Sequence, residues 1–351
     1  MSKKIVVLRG DGIGPEIVDA AVEVLKAVDD KFGIGMTFDY RPFGGAAVDA
    51  CGVPFPDETK EAAKEADAVL LGSVGGPKYD GLAREKRPES GLLAIRKELG
   101  LYCNLRPVKY YDFLADRVVF KPEVLKGVDI VICRELTSGI YFGEKKREQD
   151  SAYDVMYYHR DEITRIVRDA FEIAAKRPRR RLTSVDKANI LETSRMWREI
   201  VDETAKDYPQ VTVDHMYIDN AAAQLVLDPR HFDVIVTENT FGDILSDESA
   251  VLTGSLGMIP SASLGGEVSL YEPAHGSAPD IAGKDIANPI ATILSAAYML
   301  RLSLGADDAA AAVEAAVQKT IDDGIMTVDI AAKPDDAVGT KAITRAVIER
   351  L

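Results

Sequence analysis

The segment Phe241-Gly242-Asp243-Ile244-Leu245-Ser246-Asp247 joins an apolar strand-like run, residues 232–237, to a helix-like run that continues to Leu252. On a helix, Asp243 and Asp247 share one face because they are four residues apart. Their like charges repel each other by roughly 0.3 kcal/mol on an open helix. A cation between them removes this repulsion, and hard oxygen ligands at a short, rigid spacing suit Mg²⁺ or Mn²⁺. The alternative interpretation is an ordinary helix start, in which aspartate caps the helix or complements its dipole.

The same succession of strand and helix is repeated along the chain. Strand-like runs occupy residues 4–8, 36–43, 68–71, 128–133, 182–185, 211–218 and 232–237, helix-like runs occupy 15–28, 57–66, 91–99, 159–176 and 193–206, and the C-terminal third is mostly helical. This alternation predicts an α/β fold with largely parallel sheets. At 351 residues with 46% apolar content, the chain is long enough for two domains.

The composition limits the classes of partner. The chain has 57 acidic and 43 basic residues and a net charge of −14, so its overall field will not bind nucleic acid. The basic run 176–181 is interpreted as a helix end whose cations complement the helix dipole, rather than as a nucleic-acid patch. We expect neither a signal peptide nor a membrane span, because no apolar run approaches the roughly 18 residues that a span needs. A site for an anionic substrate must therefore be built from local arginines.

The cysteines are scattered at positions 51, 103 and 133. They form no Cys-x-x-Cys pair, so neither a disulfide framework nor a zinc site is predicted. Their strand-like settings lead us to expect reduced, buried thiols and a cytoplasmic protein.

Glycine-rich loops follow two of the early strands. Gly10-Asp11-Gly12-Ile13-Gly14-Pro15 lies between the first strand and the first helix, but Pro15 occupies the position where a Rossmann G-x-G-x-x-G motif needs its third glycine. The loop can still line a cleft, since it has flexible backbone and a helix N-terminus. A second loop of this kind spans residues 72–77. These loops exclude a Rossmann domain without excluding nucleotide binding.

A better nucleotide-binding candidate lies late in the chain. Residues 272–289 form a long, turn-rich segment that is poor in bulky apolar side chains. Loops of this length in compact domains are usually functional. The alternatives are an ordinary surface loop and, for His275, a structural histidine.

Three arginines stand where an anionic ligand could bind. Arg96 lies on a helix, Arg106 ends the strand-like run 101–107, and Arg134 ends the apolar strand 128–133. Arginines at strand ends of an α/β sheet point into the ligand crevice, and their planar guanidinium groups bind carboxylates in bidentate fashion. Each one alone is more often part of a surface salt bridge. Together with the aspartates, they indicate a di- or tricarboxylate bound beside a divalent metal.

Tyr141 and Lys187 each follow a predicted strand. A lysine crowded by a metal and arginines loses proton affinity and can act as a general base. The alternative for Lys187 is an ordinary surface lysine.

Several of these motifs together resemble the β-decarboxylating dehydrogenase family, which includes isocitrate and 3-isopropylmalate dehydrogenases. The motifs that carry the resemblance are residues 10–16, 88–97, 104–107, 134–143, 186–189, 216–220, 241–247 and 275–289. They cover nearly the whole chain, and the similarity is greatest to the isopropylmalate type. The resemblance implies oxidation of (2R,3S)-3-isopropylmalate at C2 and loss of CO₂, giving 4-methyl-2-oxopentanoate with reduction of NAD⁺, in leucine biosynthesis. Relatives acting on D-malate, tartrate or homoisocitrate, and a non-catalytic binding paralogue, are the alternatives.

The resemblance also implies residue roles. Arg96, Arg106 and Arg134 would bind the malate carboxylates; Asp219, Asp243 and Asp247 would bind Mg²⁺ or Mn²⁺; Lys187 would take the C2 hydroxyl proton; and Tyr141 would protonate the enolate carbon. Asp219 and Lys187 are expected from the partner subunit of a homodimer. A divalent ion stabilises negative charge that builds on the C2 oxygen during decarboxylation, which is why the family needs carboxylates beside arginines.

Two segments of the resemblance bear on specificity. The segment Glu89-Ser90-Gly91-Leu92-Leu93 offers apolar side chains where isocitrate enzymes carry polar ones, so Leu92 and Leu93, with Ile190 across the dimer, would cover an isopropyl group. Burying its three carbons is worth about 2 kcal/mol. The alternative role of these three apolar side chains is plain core packing. Glu89 is included in the substrate-binding set.

The cofactor is expected to be NAD⁺. Its predicted contacts are Ile13, His275, Gly276, Ser277, Ala278, Asp280 and Asn288. The Asp280 carboxylate would accept hydrogen bonds from the adenosine ribose and repel a 2′-phosphate, so NADP⁺ is disfavoured. One departure from the family pattern is Thr240, where an apolar residue is expected.

The implied architecture is the two-domain isocitrate/isopropylmalate dehydrogenase-like fold, distinct from Rossmann. Residues 1–101 with 254–351 are expected to form a cofactor-binding domain. Residues 102–253 are expected to form a second domain that carries the dimer interface and an arm near 151–158, which is a plausible intersubunit strand pair.

Overall fold

The computed structural model describes residues 2–114, 118 and 120–351. The chain divides into two compact units, Met1–Leu101 with Gly254–Leu351, and Tyr102–Thr253. The strands of the described residues are β1 (Lys3–Gly10), β2 (Met36–Arg41), β3 (Ala68–Ser73), β4 (Cys103–Lys109), β5 (Asp129–Glu135), β6 (Lys145–Arg147), β7 (Ala152–Asp154), β8 (Arg181–Asp186), β9 (Thr212–Tyr217), β10 (Val234–Thr237), β11 (Pro260–Leu264) and β12 (Leu270–Pro273). The α-helices are α1 (Gly14–Phe32), α2 (Gly45–Cys51), α3 (Asp57–Lys64), α4 (Pro88–Glu98), α5 (Pro122–Leu125), α6 (Arg160–Lys176), α7 (Glu192–Ala205), α8 (Ile218–Leu227), α9 (Asn239–Ala250), α10 (Ile290–Leu302), α11 (Asp307–Asp322) and α12 (Thr340–Ile348).

The first unit is built on strands in the order β2-β1-β3-β12-β11. Strand β1 pairs in parallel with β2 and β3, β3 pairs in parallel with β12, and β12 is antiparallel to β11. Strand β3 is buried along its whole length. A continuous apolar run of this kind is typical of a parallel strand covered on both faces. The sequence did not predict β11 and β12, which lie in the mostly helical C-terminal third.

The second unit has the order β4-β5-β10-β8-β9. Strand β4 is antiparallel to β5, and the remaining neighbours are parallel. The parallel strands β5, β10, β8 and β9 all end at the same edge of the sheet, which is where ligands bind in α/β folds. The predicted α/β class with a largely parallel sheet is thus confirmed.

The predicted arm contains strand β7, whose partner β6 precedes the arm in the sequence. Strands β6 and β7 pair antiparallel, and all of their residues are exposed. Tyr158, at the end of the predicted arm, is buried instead and lies against the ring of Trp197. An intersubunit role for the strand pair stays a prediction.

Two expectations from composition need correction. Cys51 is exposed, whereas Cys103 and Cys133 are buried, and all three are free thiols. Cys51 ends the short helix α2, which the sequence did not predict, so its strand-like setting was wrong. The basic run 176–181 also makes more contacts with the protein than a solvated helix end would. Arg177 pairs with Asp233 at 2.6 Å, and further arginines of the run bind carbonyl and carboxylate oxygens.

The helices give no membrane segment. Among the described residues, no helix has the length and apolar character needed to cross a membrane.

The surroundings of Thr240 explain why an apolar residue is expected at this position. It lies in the first turn of α9, and its Oγ1 is buried without a hydrogen-bond partner in the part of the chain that the structure describes. A buried hydroxyl without a partner costs about 1 kcal/mol or more. An apolar side chain of the same shape removes this cost.

We expect Thr240→Val to raise the free energy of unfolding of the second unit by about 1 kcal/mol. Trp197, the one tryptophan of the chain, lies in that unit and reports its unfolding in urea by fluorescence. Thr237→Val is the matched control, because the Thr237 hydroxyl is buried and donates to the Val185 carbonyl at 2.9 Å. The control should destabilise the unit, and equal losses in both variants would contradict the prediction.

Candidate active site

Helix α9 begins directly after strand β10, with Glu238 as its N-cap. The two carboxylate oxygens of Glu238 accept hydrogen bonds from the N–H groups of Thr240 at 3.0 Å and Phe241 at 2.7 Å. Burial raises the pKa of Glu238, although these hydrogen bonds oppose the shift. The first turn of α9 contains no acidic residue. The alternative interpretation of Asp243 as a helix-start residue is therefore wrong.

The carboxylate of Asp243 lies at the centre of a charged group. One of its oxygens accepts a hydrogen bond from Arg134 Nη1, and the other accepts one from the Tyr141 hydroxyl at 3.0 Å. Arg106 Nη2 lies 3.7 Å from the first oxygen. Arg134 is 3% exposed, so its charge depends on partners inside the protein.

Arg106 binds two residues in the following turn of α9, Ser246 and Asp247. Its Nη1 donates to Ser246 Oγ at 2.6 Å and to Asp247 Oδ1 at 3.1 Å, and its Nε donates to Asn104 Oδ1 at 2.9 Å. Contrary to the expectation that it ends a strand, Arg106 lies inside β4. The structure thus brings together Arg106, Arg134, Asp243 and Asp247 with Tyr141 within the second unit.

The turn that carries Tyr141 is a short 3₁₀ helix, Gly139–Tyr141, after strand β5. It is shaped by the buried carboxylate of Glu135, which accepts hydrogen bonds from the N–H groups of Thr137 at 3.0 Å and Ser138 at 2.9 Å. Burial, reinforced by the charge of Asp243, raises the pKa of Tyr141. The hydroxyl therefore stays protonated at neutral pH, as a proton donor must.

Lys187 and Asp219 form a pair of their own. Lys187 follows strand β8, Asp219 lies in the first turn of α8, and Lys187 Nζ is 2.5 Å from Asp219 Oδ1. This hydrogen bond lowers the pKa of the exposed Asp219 carboxyl. The Lys187 ammonium also lies 6.0 Å from the centre of the Tyr217 ring. These contacts keep the predicted base and the predicted third metal ligand side by side.

The donor set of α9 fits a hard divalent cation. Asp243 and Asp247 present carboxylate oxygens from successive turns, and their side chains are 33% and 64% exposed. Within the described residues, no group of three or more acidic, histidine or cysteine side chains is close enough to hold a metal ion. One chain thus supplies the pair but does not bring Asp219 to it. The assignment of Asp219 of the partner subunit as a ligand stays a prediction.

In the first unit, Arg96 lies in the last turn of α4. It is 8% exposed, and its Nη2 donates to Glu272 Oε1 at 2.9 Å, while its Nε is buried without a partner among the described residues. Its predicted role in substrate binding is not tested by these contacts.

The residues predicted for substrate specificity differ in exposure. Leu92 and Leu93 on α4 are half-buried, and Leu92 packs against the core of the first unit, so part of its surface serves plain core packing. Glu89 is exposed. Ile190, in the second unit, is 66% exposed, which is compatible with a contact to a second subunit.

The glycine-rich loops of the first unit meet the late nucleotide-binding candidate. The N–H of Ile13 donates to the Ser277 carbonyl at 2.8 Å, and a side chain at Gly12 would place its Cβ 2.0 Å from that carbonyl oxygen. Asp11 accepts hydrogen bonds from the N–H groups of Gly45, Ala46 and Gly75. A cavity of about 590 Å³ is lined by these loops and by Asp280. This volume suits part of a dinucleotide.

The other predicted cofactor contacts lie in or beside the same loop. Burial lowers the pKa of His275, and its Nε2 is buried without a partner in the described part of the chain. His275 is therefore neutral near pH 7. The Asn288 amide is already engaged: it donates to Asp329 at 3.0 Å and accepts from the Ile290 N–H at 3.0 Å. Gly276 and Asp280 are exposed, Ser277 is buried, and Ala278 has a left-handed backbone with φ of 36°.

Comparison with known proteins identifies the family. A family model described as isocitrate/isopropylmalate dehydrogenase matches residues 4–347. This chain belongs to the isocitrate/isopropylmalate dehydrogenase family. Among relatives, 3-isopropylmalate dehydrogenase of Moorella thermoacetica is 58% identical over 99% of both chains, and that of Aquifex aeolicus is 56% identical over 99% of this chain and 97% of its own. Isocitrate dehydrogenase from Methylococcus capsulatus has a similar structure, with a TM-score of 0.90 and 39% identity over 99% of both chains.

The family resemblance inferred from the sequence motifs is confirmed by these matches. Within this member of the isocitrate/isopropylmalate dehydrogenase family, the sequence interpretation missed two polar residues that the structure places at the candidate sites. Asn239 binds Arg134 at the start of α9, and Asp11 binds three N–H groups of the glycine-rich loops. The signal for Asn239 is the polar run that follows the buried strand β10 directly, and for Asp11 it is an acidic residue between two glycines.

The raised pKa of Glu238 predicts a pH-dependent effect of its replacement. Because the folded-state pKa exceeds the unfolded value, the folded protein binds more protons in this range, and this carboxyl lowers stability as the pH rises. The neutral Glu238→Gln variant lacks that loss. The free energy of unfolding of the variant minus that of the wild type should therefore increase between pH 5 and pH 8. Urea unfolding followed by Trp197 fluorescence measures this difference. Glu267→Gln, which replaces an exposed glutamate, is the background control. A difference that shrinks with pH would contradict the prediction.

Proposed function

We propose that this protein oxidises and decarboxylates (2R,3S)-3-isopropylmalate to 4-methyl-2-oxopentanoate and CO₂ with reduction of NAD⁺, a step of leucine biosynthesis. The substrate is supported by relatives named 3-isopropylmalate dehydrogenase, which are 53–58% identical over 98–100% of this chain. The reaction type is supported by one observation of the structure: a carboxylate on α9, Asp243, lies between Arg134 and the protonated hydroxyl of Tyr141. Reduced thiols at all three cysteines fit a cytoplasmic location.

The arginines supply the binding of the substrate carboxylates. Arg106 and Arg134 are both more than nine-tenths buried, and each already binds an aspartate of α9. A substrate carboxylate can replace part of those contacts, since a guanidinium has five donors. Arg96 is proposed to bind the remaining carboxylate. Leu92 and Leu93, with Ile190 of the partner subunit, are proposed to cover the isopropyl group.

Two residues are proposed to move protons. Lys187, in its neutral amine form, is proposed to accept the proton of the C2 hydroxyl during oxidation, and its hydrogen bond to Asp219 keeps the side chain oriented. Decarboxylation leaves an electron pair on the substrate, and Tyr141 donates the proton that completes the C3 methylene group. The raised pKa of Tyr141 suits this acid role.

The cofactors complete the chemistry. Mg²⁺ or Mn²⁺ would supply positive charge for the C2 oxygen, and NAD⁺ would supply the acceptor for the C2 hydride. Asp243 and Asp247, with Asp219 of the partner subunit, are proposed to hold the metal. Ile13, His275, Asp280 and their neighbours are proposed to bind NAD⁺, with the Asp280 carboxylate on the ribose hydroxyls.

A substrate panel tests the proposed function. The purified protein should form NADH with 3-isopropylmalate and Mn²⁺, with kcat/KM at least about tenfold above that for isocitrate, D-malate, tartrate or homoisocitrate, a margin of about 1.4 kcal/mol. EDTA should abolish turnover, and NADP⁺ should replace NAD⁺ poorly. A preference for D-malate over 3-isopropylmalate would defeat the proposed substrate, and turnover unchanged by EDTA would defeat the proposed metal.

A homodimer with shared active sites is supported by the surface of the second unit. Helices α8 and α9 pack against each other, and each exposes large apolar side chains: Val226 and Leu227 on α8, and Ile244 on α9. Neighbouring exposed apolar side chains such as Val226 and Leu227 are typical of protein–protein contacts. Lys187 and Asp219 are paired within one chain. In a dimer, one subunit would therefore contribute both residues to the active site of its partner.

Mixed dimers test the sharing. Lys187→Met and Tyr141→Phe should each lower the activity of the homodimer by about a hundredfold or more, while leaving a measurable residual rate. If Lys187 acts in the partner's site, a heterodimer of the two variants has one intact site, and refolding an equal mixture should restore about a quarter of wild-type activity. The refolded single variants are the controls. No recovery from a mixture in which heterodimers are present would place Lys187 and Tyr141 in the same chain's site.

A further inference from the structure

Asn239 is a buried residue that binds Arg134 and the backbone just before the turn that carries Tyr141. It is the first residue of α9 and is 1% exposed. Its side-chain Oδ1 accepts hydrogen bonds from Arg134 Nη2 at 2.9 Å and Nε at 3.3 Å, and its backbone carbonyl accepts one from the same Nε at 2.9 Å. One residue thus fixes the inner edge of the guanidinium.

The other end of the same amide binds the turn that carries Tyr141. Asn239 Nδ2 donates to the Ser138 carbonyl at 3.1 Å. Ser138 directly precedes the 3₁₀ turn Gly139–Tyr141. A side chain at Gly139 would place its Cβ 2.3 Å from the Tyr158 hydroxyl, which in turn accepts the Asn239 N–H at 3.0 Å. The turn is therefore packed tightly against the start of α9.

We propose that Asn239 is a positioning residue that holds Arg134 and the Tyr141 turn in one fixed relation through the acceptor and the donor of its side-chain amide. The proposal rests on the function proposed above, because it takes the roles of Arg134 and Tyr141 from there. Asp243 also joins these two residues, but its carboxylate is the proposed metal ligand. An oxygen engaged by a metal is less available to Arg134 and Tyr141, whereas the amide of Asn239 on the buried side is not displaced.

The chemistry of the amide explains why asparagine suits this position. The site needs one acceptor toward a cation and one donor toward a carbonyl, at the reach of a single methylene. Aspartate keeps the acceptor but places a carboxylate oxygen against the Ser138 carbonyl, and it adds a second negative charge beside Arg134. Alanine removes both bonds and leaves buried polar groups without partners.

Asn239→Ala and Asn239→Asp test the proposal, with Thr240→Val as the matched control from the same helix turn. Asn239→Ala should raise KM for 3-isopropylmalate about tenfold through Arg134 and lower kcat about tenfold through Tyr141. Asn239→Asp should raise KM because its carboxylate competes with the substrate for Arg134. KM for NAD⁺ should change less than about twofold, since the proposed cofactor contacts lie in the other unit. The control should keep all three constants.

A double-mutant cycle separates positioning from general destabilisation. If Asn239→Ala lowers kcat by misplacing Tyr141, the substitution should lower kcat much less in a Tyr141→Phe background, whereas the increase in KM should persist. Equal kcat losses in both backgrounds would overturn the positioning role. Wild-type kcat and KM in both Asn239 variants would overturn the proposal as well.

The outcomes also distinguish this proposal from the proposed function. Wild-type protein inactive with 3-isopropylmalate would refute the function and, with it, the role of Asn239. Active wild type with unaffected variants would refute only the role of Asn239. If Trp197 fluorescence shows that Asn239→Ala fails to fold, Asn239→Asp and Asn239→Ser, which keep an acceptor toward Arg134, carry the same test.

Discussion

The candidate site depends on the compensation of one buried guanidinium. Arg134 is almost wholly removed from solvent, and a charge in that position is costly unless the protein surrounds it with oxygen acceptors. Asn239 and Asp243 supply them from successive turns of α9, so the helix must begin at the place where it does. The same carboxylate of Asp243 then fixes the Tyr141 hydroxyl. A requirement for solvation inside the protein thereby sets the geometry of the proposed chemistry.

Two buried glutamates shape the backbone around Arg134 in the same way, by accepting hydrogen bonds from backbone N–H groups. Glu135 and Glu238 end, or directly follow, the neighbouring strands β5 and β10, and each accepts hydrogen bonds from the N–H groups two and three residues later. One starts the turn toward Tyr141, and the other starts α9. Burial raises the pKa of both carboxyls, which is the energetic cost of placing them there. Residues held at such a cost at one edge of a sheet are typical of functional sites.

The sequence could predict part of this arrangement. The four-residue spacing of Asp243 and Asp247 fixes their common face on any helix, and the structure places both in one group with Arg106 and Arg134. It could not predict that Arg106 lies inside a strand, because an apolar run with one arginine does not mark its own end. Nor did it find Asn239, since an amide acquires a role only from the groups that it meets. Cys51 was misjudged because the short helix α2 has too few residues for a helical period to be recognised.

The sequence by itself determined the α/β class, the family and the residue types available for the chemistry, because hydrophobic period and motif spacing are local properties of the chain. Only the tertiary structure decided which of those residues share an environment. The pairs Lys187–Asp219 and Arg134–Asp243 join positions 32 and 109 residues apart, and no local pattern encodes such distances. They arise because parallel strands bring their carboxyl ends to one edge, where buried charges must find partners.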